Sequence, residues 1–223
     1  YFLTNSTLWN DLVFTQSIRH DEFDAFSDKT TGKIGLKYFI AKDLSVSTNY
    51  ATAYKVPTLT QLYSPWGSDP DFIPEEIKGY DLTVKYNGFS LTYYNNKIKN
   101  LIDYDNNLWA YYQNEDTSTI KGYEARYENE VYDNLLLGLN YNRIFAKDSE
   151  GKYLQRRARS TAGLSLDYYG FSKTHLGVYA NYVGTRYDEL AQTNQTGRYT
   201  LVDAVINYDI TKNFSTYLKV ENA

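Results

Sequence analysis

Two stretches hold residues whose types and spacing allow chemistry. In "LIDYD", Asp103 and Asp105 occupy alternate positions, so on an extended chain their carboxylates point the same way. Paired carboxylates can move protons or hold a cation such as Ca²⁺. More commonly such a pair is the solvated rim of a loop. In "LQRRARS", Arg156, Arg157 and Arg159 crowd together. A guanidinium offers a planar fork of donors that suits amide or phosphate oxygens. An inward-facing arginine paired with a carboxylate such as Glu124 or Asp203 is an equal alternative. Tyr63, Trp66 and Trp109 lie in polar segments, where a flat ring can stack on a planar ligand or anchor at a membrane interface.

Other chemistries lack their residues. Cysteine is absent and the two histidines, His20 and His175, are far apart, so thiolate and imidazole metal sites are not expected. Ser160 and Thr161 have no histidine near them in sequence, and no Gly-x-Ser-x-Gly elbow occurs. The expectation is therefore no enzyme, no bound metal and no resident cofactor. A net charge of -4 and a pI near 5.3 speak against nucleic acid as a partner.

The candidates must be positioned by strands. Period-two alternation dominates the chain. In "LSVSTNYATAY", Leu44, Val46, Tyr50 and Tyr54 share a parity opposed by Ser45, Ser47, Asn49, Ala51 and Ala53. Leu135, Leu137, Leu139 and Tyr141 form another such row, as do Ala162, Leu164, Leu166 and Tyr168. The pattern predicts about eleven strands: 7–22, 29–41, 44–55, 77–87, 89–103, 108–130, 133–147, 154–168, 172–187, 198–209 and 213–223.

Connections alternate between short turns, at 41–44, 86–89, 131–134, 168–171 and 210–213, and long polar loops, at 64–76, 104–112, 147–153 and 189–197. That rhythm is an up-and-down antiparallel barrel with every long loop at one end. Strands of ten or more residues match a tilted bilayer crossing. With 25 tyrosines in 223 residues, one parity apolar and the other small or polar, the chain reads as a transmembrane β-barrel with a wet lumen. A soluble β-sandwich shows the same alternation, but strand length, tyrosine load and loop asymmetry together favour the membrane. No apolar window reaches the length of a transmembrane helix, and no basic-then-apolar leader is read at Tyr1.

The segment "NYATAYKVPTLTQLYSPWGSDPDFIPEEIKGYDLTVKY" resembles the barrel signature of TonB-dependent outer-membrane receptors: an aromatic strand, a "KAPTL-x-QLY"-like element, then Asp69-Pro70-Asp71-Phe72-Ile73-Pro74-Glu75 opening the next strand. "YYNNKIKNLIDYD" with "YQNEDTSTIKGYEARYE" is similar to the same family's next hairpin, and "LKVENA" to its penultimate strand. "LIDYD", "LQRRA" and "VGTRYD" resemble vitamin B12 (cobalamin) receptors within that family.

The resemblance implies a larger barrel of about 22 strands, of which residues 1–223 would be the C-terminal portion, without plug domain, TonB box or last strand. It implies an active transporter of the bacterial outer membrane, importing a scarce nutrient such as cobalamin, with a ferric siderophore or haem as the alternative cargo. Its partners would be the TonB complex, reached through the plug, the small-molecule ligand and outer-membrane lipid. A passive porin or surface adhesin is the reading from another class. The resemblance places a ligand contact at Arg156. It places a contacting tyrosine four residues beyond Tyr187, where Ala191 stands. The expected ligand-facing set is Arg156, Arg157, Tyr187, Tyr63, Trp66, Asp103 and Trp109.

Overall fold

The alternation is realised as strands along nearly the whole chain. The computed structural model describes residues 1–222. In order they form β1 (Phe2–Trp9), β2 (Leu12–Asp21), β3 (Lys29–Ala41), β4 (Leu44–Lys55), the short α1 (Leu59–Tyr63), β5 (Glu75–Tyr86), β6 (Phe89–Lys99), β7 (Leu101–Asp105) and β8 (Ala110–Asn114). Then follow β9 (Ser118–Tyr132), β10 (Leu135–Lys147), β11 (Ser160–Phe171), β12 (Thr174–Val183), β13 (Arg186–Tyr187), β14 (Gln195–Thr196), β15 (Tyr199–Thr211) and β16 (Phe214–Val220). Twelve strands make one sheet in the order β1-β2-β3-β4-β5-β6-β9-β10-β11-β12-β15-β16. Every neighbouring pair is antiparallel, from β1–β2 through β15–β16. The pairs β7–β8 and β13–β14 are separate small sheets.

Register carries the apolar parity from strand to strand. Val46 faces Val84, Val84 faces Leu91, and Leu91 faces Ala125. Farther along, Leu139 faces Leu164, Leu164 faces Ala180, and Ile206 faces Leu218. These residues form one continuous outward face with many exposed aliphatics and tyrosines, among them Ile34, Leu82, Leu139 and Tyr141. The opposite face is polar: Asn49 donates to Asp81 at 2.9 Å, the Thr83 and Thr92 hydroxyls meet at 2.8 Å, and Tyr94 donates to Asn142 at 3.2 Å. A sheet with its apolar face outward and its polar face inward is the wall of a membrane barrel. No helix among the described residues is long and apolar enough to cross a membrane.

Six hairpins reverse with two residues between strands, all at one end of the sheet. Asn87 and Gly88, with φ of 41° and 79°, supply the left-handed pair that a tight hairpin needs. The long connections all lie at the other end, as expected.

The strand count is corrected from eleven to twelve. The segment 7–22 is not one strand: Asn10, at φ 52°, turns the chain between β1 and β2. The expected strand 89–103 is cut at Asn100, whose φ of 59° sends β7 into its own sheet. The expected strand 108–130 is likewise two, β8 and β9. Residues 154–159 precede β11 as loop, and Arg186 and Tyr187 leave β12 for β13. The odd number that the eleven strands suggested therefore disappears. The sheet's margins are β1 and β16, exposed throughout.

Candidate ligand-binding crown

At the loop end the connections fold on one another. Residues 56–74 begin with α1, whose N-terminus is closed by a capping box: Thr58 Oγ1 accepts from Gln61 N–H, and Gln61 Oε1 accepts from Thr58 N–H. Leu62 and Phe72 of this loop bury themselves against Ile102 of β7, with Phe26 and Tyr111 packed around them. Glu75, buried at the start of β5, accepts from the Ile102 N–H at 3.2 Å and from Lys55 Nζ at 2.9 Å. Gln113 of β8 accepts from the Ile73 N–H and donates to the Ile73 and Asn100 carbonyls. The Tyr111 N–H reaches the Gly67 carbonyl at 2.7 Å. A Cβ at Gly67 would overlap Ala110, so this close backbone approach needs glycine.

The "LQRRARS" loop locks onto that unit. Gln155 is 1% exposed, and its Nε2 donates to Asp103 Oδ1 at 2.9 Å and to the Tyr104 carbonyl at 2.5 Å. Arg157 Nη1 donates to the Gln155 carbonyl at 3.0 Å and stands 4.0 Å from Asp103 Oδ2. The Arg156 N–H donates to the Tyr187 carbonyl at 2.6 Å, and its Nη2 donates to Asn106 Oδ1 at 2.9 Å. Asn106 in turn donates to the Asp188 carbonyl at 3.3 Å. Tyr187 lies 6.3 Å from Tyr153 between ring centroids and accepts from Gln195 Nε2. Lys147 and Arg159 both stand over the Tyr153 ring, at 5.0 Å and 4.3 Å.

The expected residues therefore separate into roles. Arg156, Arg157, Asp103 and Tyr187 come together. Arg157 and Asp103 are tied into the floor, whereas Arg156 is exposed, with one side-chain hydrogen bond and the rest of its donor fork open. Neither Glu124 nor Asp203 pairs with it. Glu124 is bound by Arg126, and Asp203 accepts from the Asn222 N–H. The paired use of Asp103 and Asp105 is not realised either: Asp105 Oδ1 accepts from the Asn107 and Leu108 N–H groups of its own turn. Among the described residues no group of three or more acidic or imidazole side chains is placed to hold a metal.

Tyr63, Trp66 and Trp109 are 67%, 72% and 73% exposed on the loop tips. Trp66 precedes Gly67 and Trp109 precedes Ala110, the two residues in close contact, so the tryptophans emerge from one junction. The turn 105–110 links both groups, with Asn106 on Arg156 at one side and Trp109 at the other. Ala191 is exposed beside that cluster's loop.

The Tyr112 phenol, opposite Asp103 in the β7–β8 register, is pushed up to about 12, first by burial and then by Asp103, Asp105 and Asp148. The Thr196 hydroxyl and then Arg186 hold the Asp188 carboxyl below its usual range. Sequence reasoning missed Asn106, Gln155 and Tyr153. It also missed a cavity of about 740 Å³ at the loop ends of β2 and β4, where Asp21 accepts from Arg19 at 2.7 Å and from Tyr54 at 2.7 Å. None of these has a local signature that separates it from ordinary loop polarity.

The family described as TonB dependent receptor-like, beta-barrel, matches residues 1–223. The chain belongs to this family. Its members are receptors and transporters of the bacterial outer membrane. The vitamin B12 transporter BtuB of Photobacterium profundum is 31% identical, over 99% of this chain and 38% of its own length. The vitamin B12 transporter BtuB of Vibrio cholerae is 29% identical, over 96% of this chain and 36% of its own. The chain thus spans under two fifths of these relatives. Among solved structures, the ferric enterobactin receptor PfeA of Pseudomonas aeruginosa superposes with a TM-score of 0.82 at 20% identity, covering 99% of this chain and 39% of that one. The siderophore receptor PirA of Acinetobacter baumannii gives 0.81 at 14% identity, over 99% and 40%. At these identities the two structures speak for the barrel wall alone.

Proposed function

We propose that this chain is the C-terminal part of the barrel of an active importer, and that the cargo of the whole receptor is cobalamin. Lipid does not tolerate the two open margins at β1 and β16, and the length of the relatives supports further strands, a plug and a TonB contact in the complete protein. The crown receives the ligand, the polar face lines its path, and TonB acting on the plug opens it. The family's members transport rather than catalyse, and no cofactor is invoked. The observation that carries the cobalamin reading is Arg156, held at the crown by its backbone and by Asn106 with most of its donors open, in a chain whose relatives at 29% and 31% identity are vitamin B12 transporters. Amide or phosphate oxygens fit that fork.

A second reading, a ferric siderophore or haem, is favoured by Ala191 in place of the expected tyrosine and by the exposed rings of Tyr63, Trp66 and Trp109. Titration of the full-length receptor in detergent with cyanocobalamin, ferric siderophores and haem separates the two. Cobalamin should bind saturably, and Arg156→Ala should weaken it by about 1.5–3 kcal/mol, the cost of a lost charged hydrogen bond. Tight binding of an iron chelate with no cobalamin binding overturns the first reading in favour of the second.

A further inference from the structure

We propose that the outward face of β5, β6, β9 and β10, at its loop end, is a docking surface for the phosphate groups of lipid A, the phosphorylated glycolipid of the outer leaflet. On these strands each cation is a sequence neighbour of an inward aliphatic: Ile77 and Lys78, Lys97 and Ile98, Ile120 and Lys121, Arg143 and Ile144, Ala146 and Lys147. The inward members form one cluster, in which Ile98 and Ala146 are buried with Leu101 and Leu154, and Ile77, Ile120 and Ile144 pack around them. Successive side chains on a strand point to opposite faces, so this inner core fixes the cations outward.

Register then crowds them. Lys78 lies directly opposite Lys97, an arrangement that is unfavourable without an anion nearby. Lys121 faces Phe145, and Arg143 faces Tyr123, on the adjoining pair. Lys78, Lys97, Lys99, Lys121, Arg143 and Lys147 form no ion pair among the described residues. Two carboxylates border the patch. Glu76, opposite Lys99, is already bound by Lys29 at 2.8 Å, and the Asp148 carboxylate accepts from the Lys152 N–H.

Depth matches a lipid headgroup. Tyr80, Tyr93 and Tyr123 form a row on the same outward face, with ring centroids 6.1 Å and 5.2 Å apart. On their own strands Tyr80 and Tyr123 stand two residues, about 7 Å, nearer the tight turns than Lys78 and Lys121, and Tyr93 stands four residues nearer than Lys97. Such a row marks the membrane–water interface, and long loops lie on the outer side of these barrels. Beyond the tyrosines come Leu82, Leu91 and Leu139, in the apolar band. A groove of about 610 Å³ opens between, lined by Tyr93, Lys121, Tyr123, Phe145, Lys147 and Asp148. The patch is local. At the same level β3 and β4 present Gly32 and Thr52, and β11 presents Ser160 and Ala162. A phosphorylated glycolipid offers acyl chains for the band and phosphates for the cations at the depth where each is found.

The test is native mass spectrometry of the full-length receptor in mild detergent with added lipid A, its dephosphorylated form, and inorganic phosphate. Wild type should retain lipid A. The Lys78→Gln, Lys97→Gln, Lys121→Gln, Arg143→Gln variant should hold it about tenfold or more weakly, given the pull of each surface cation on anionic lipid. A control variant, Lys33→Gln, Lys37→Gln, Lys85→Gln, Arg126→Gln, removes four cations from the inward face and should retain lipid A as wild type does. Equal retention by the outward variant overturns the proposal. So does wild type that holds dephosphorylated lipid A as well as lipid A, a comparison that needs no variant to fold. Inorganic phosphate that displaces lipid A at equal concentration would make this a free-anion site and also overturn it.

Discussion

At the tight-turn end the chain reverses in two-residue hairpins and its apolar side chains lie open on the outward face. At the loop end the same strands carry two packed clusters, Leu62–Phe72–Ile102 and Ile98–Leu101–Ala146–Leu154. The wall thus has almost no core of its own. Backbone pairing holds it, and lipid serves as the solvent for its apolar side. The crown is a small globular body set on four of those strands, held by ordinary packing and by polar ties at the buried Glu75 and Gln155 and the half-buried Gln113. A substitution should therefore be felt in one region and not the other, depending on which solvent its side chain meets.

The largest effect expected from breaking that division is Phe72→Ala. It empties the centre of one crown cluster at a cost of about 3–5 kcal/mol. Hydrogen exchange should show residues 56–74 and 101–114 opening together while β10 and β11 keep their protection. If the wall strands loosen by the same amount, crown and wall are one cooperative unit and the comparison fails. Next is Leu82→Arg, in the apolar band. A charge near the midplane costs about 2–4 kcal/mol, and almost nothing near an interface. Refolding into vesicles in a denaturant series should register that loss, while ligand binding by the protein that does fold stays unchanged. Smaller is Gly67→Ala, which places a Cβ against Ala110 at a φ of 65°, a strain of about 1–3 kcal/mol. Its expected signature is faster proteolysis near Trp66 and Trp109 with no change in wall melting.

How legible each region was in the sequence follows the same division. The wall's faces could be read because the side-chain period is two and lipid rewards one parity along every strand. Rows such as Leu135–Leu137–Leu139–Tyr141 needed no knowledge of their partners. The hairpin at Asn10 was missed because the residues on both sides of it are strand formers and no glycine marks the turn. The breaks at Asn100 and at residues 115–117 were missed for another reason. Wall and small sheet are both extended, and they differ only in which strand they bond. The crown was legible as residue types but not as contacts. Asp103 meets Gln155 across 52 residues of sequence, and Arg156 finds Asn106 across 50. No spacing rule announces such pairs. Arg156 lies in the crown beside Asn106, and the carboxylates of the alternative pairing, Glu124 and Asp203, lie elsewhere, on the wall.

The smallest effect sharpens the comparison through pH. Tyr112 sits on the crown floor, where burial, Asp103, Asp105 and Asp148 push its phenol up to about 12 from an ordinary value near 10. A folded value above the unfolded one means that the protonated form favours the folded crown. That contribution is complete below pH 10 and is lost as pH rises from about 10 through about 12. Ultraviolet titration of phenolate should find a late-ionising fraction that shrinks by one tyrosine in Tyr112→Phe. In Asp103→Asn that tyrosine should ionise earlier, because one of the repelling charges is gone. Above pH 10 the crown of wild type should open to exchange before β10 and β11 do, and in Tyr112→Phe that early opening should be reduced. Simultaneous opening of crown and wall in both proteins would mean that the alkaline transition belongs to the barrel, and that the floor's buried phenol does not set it.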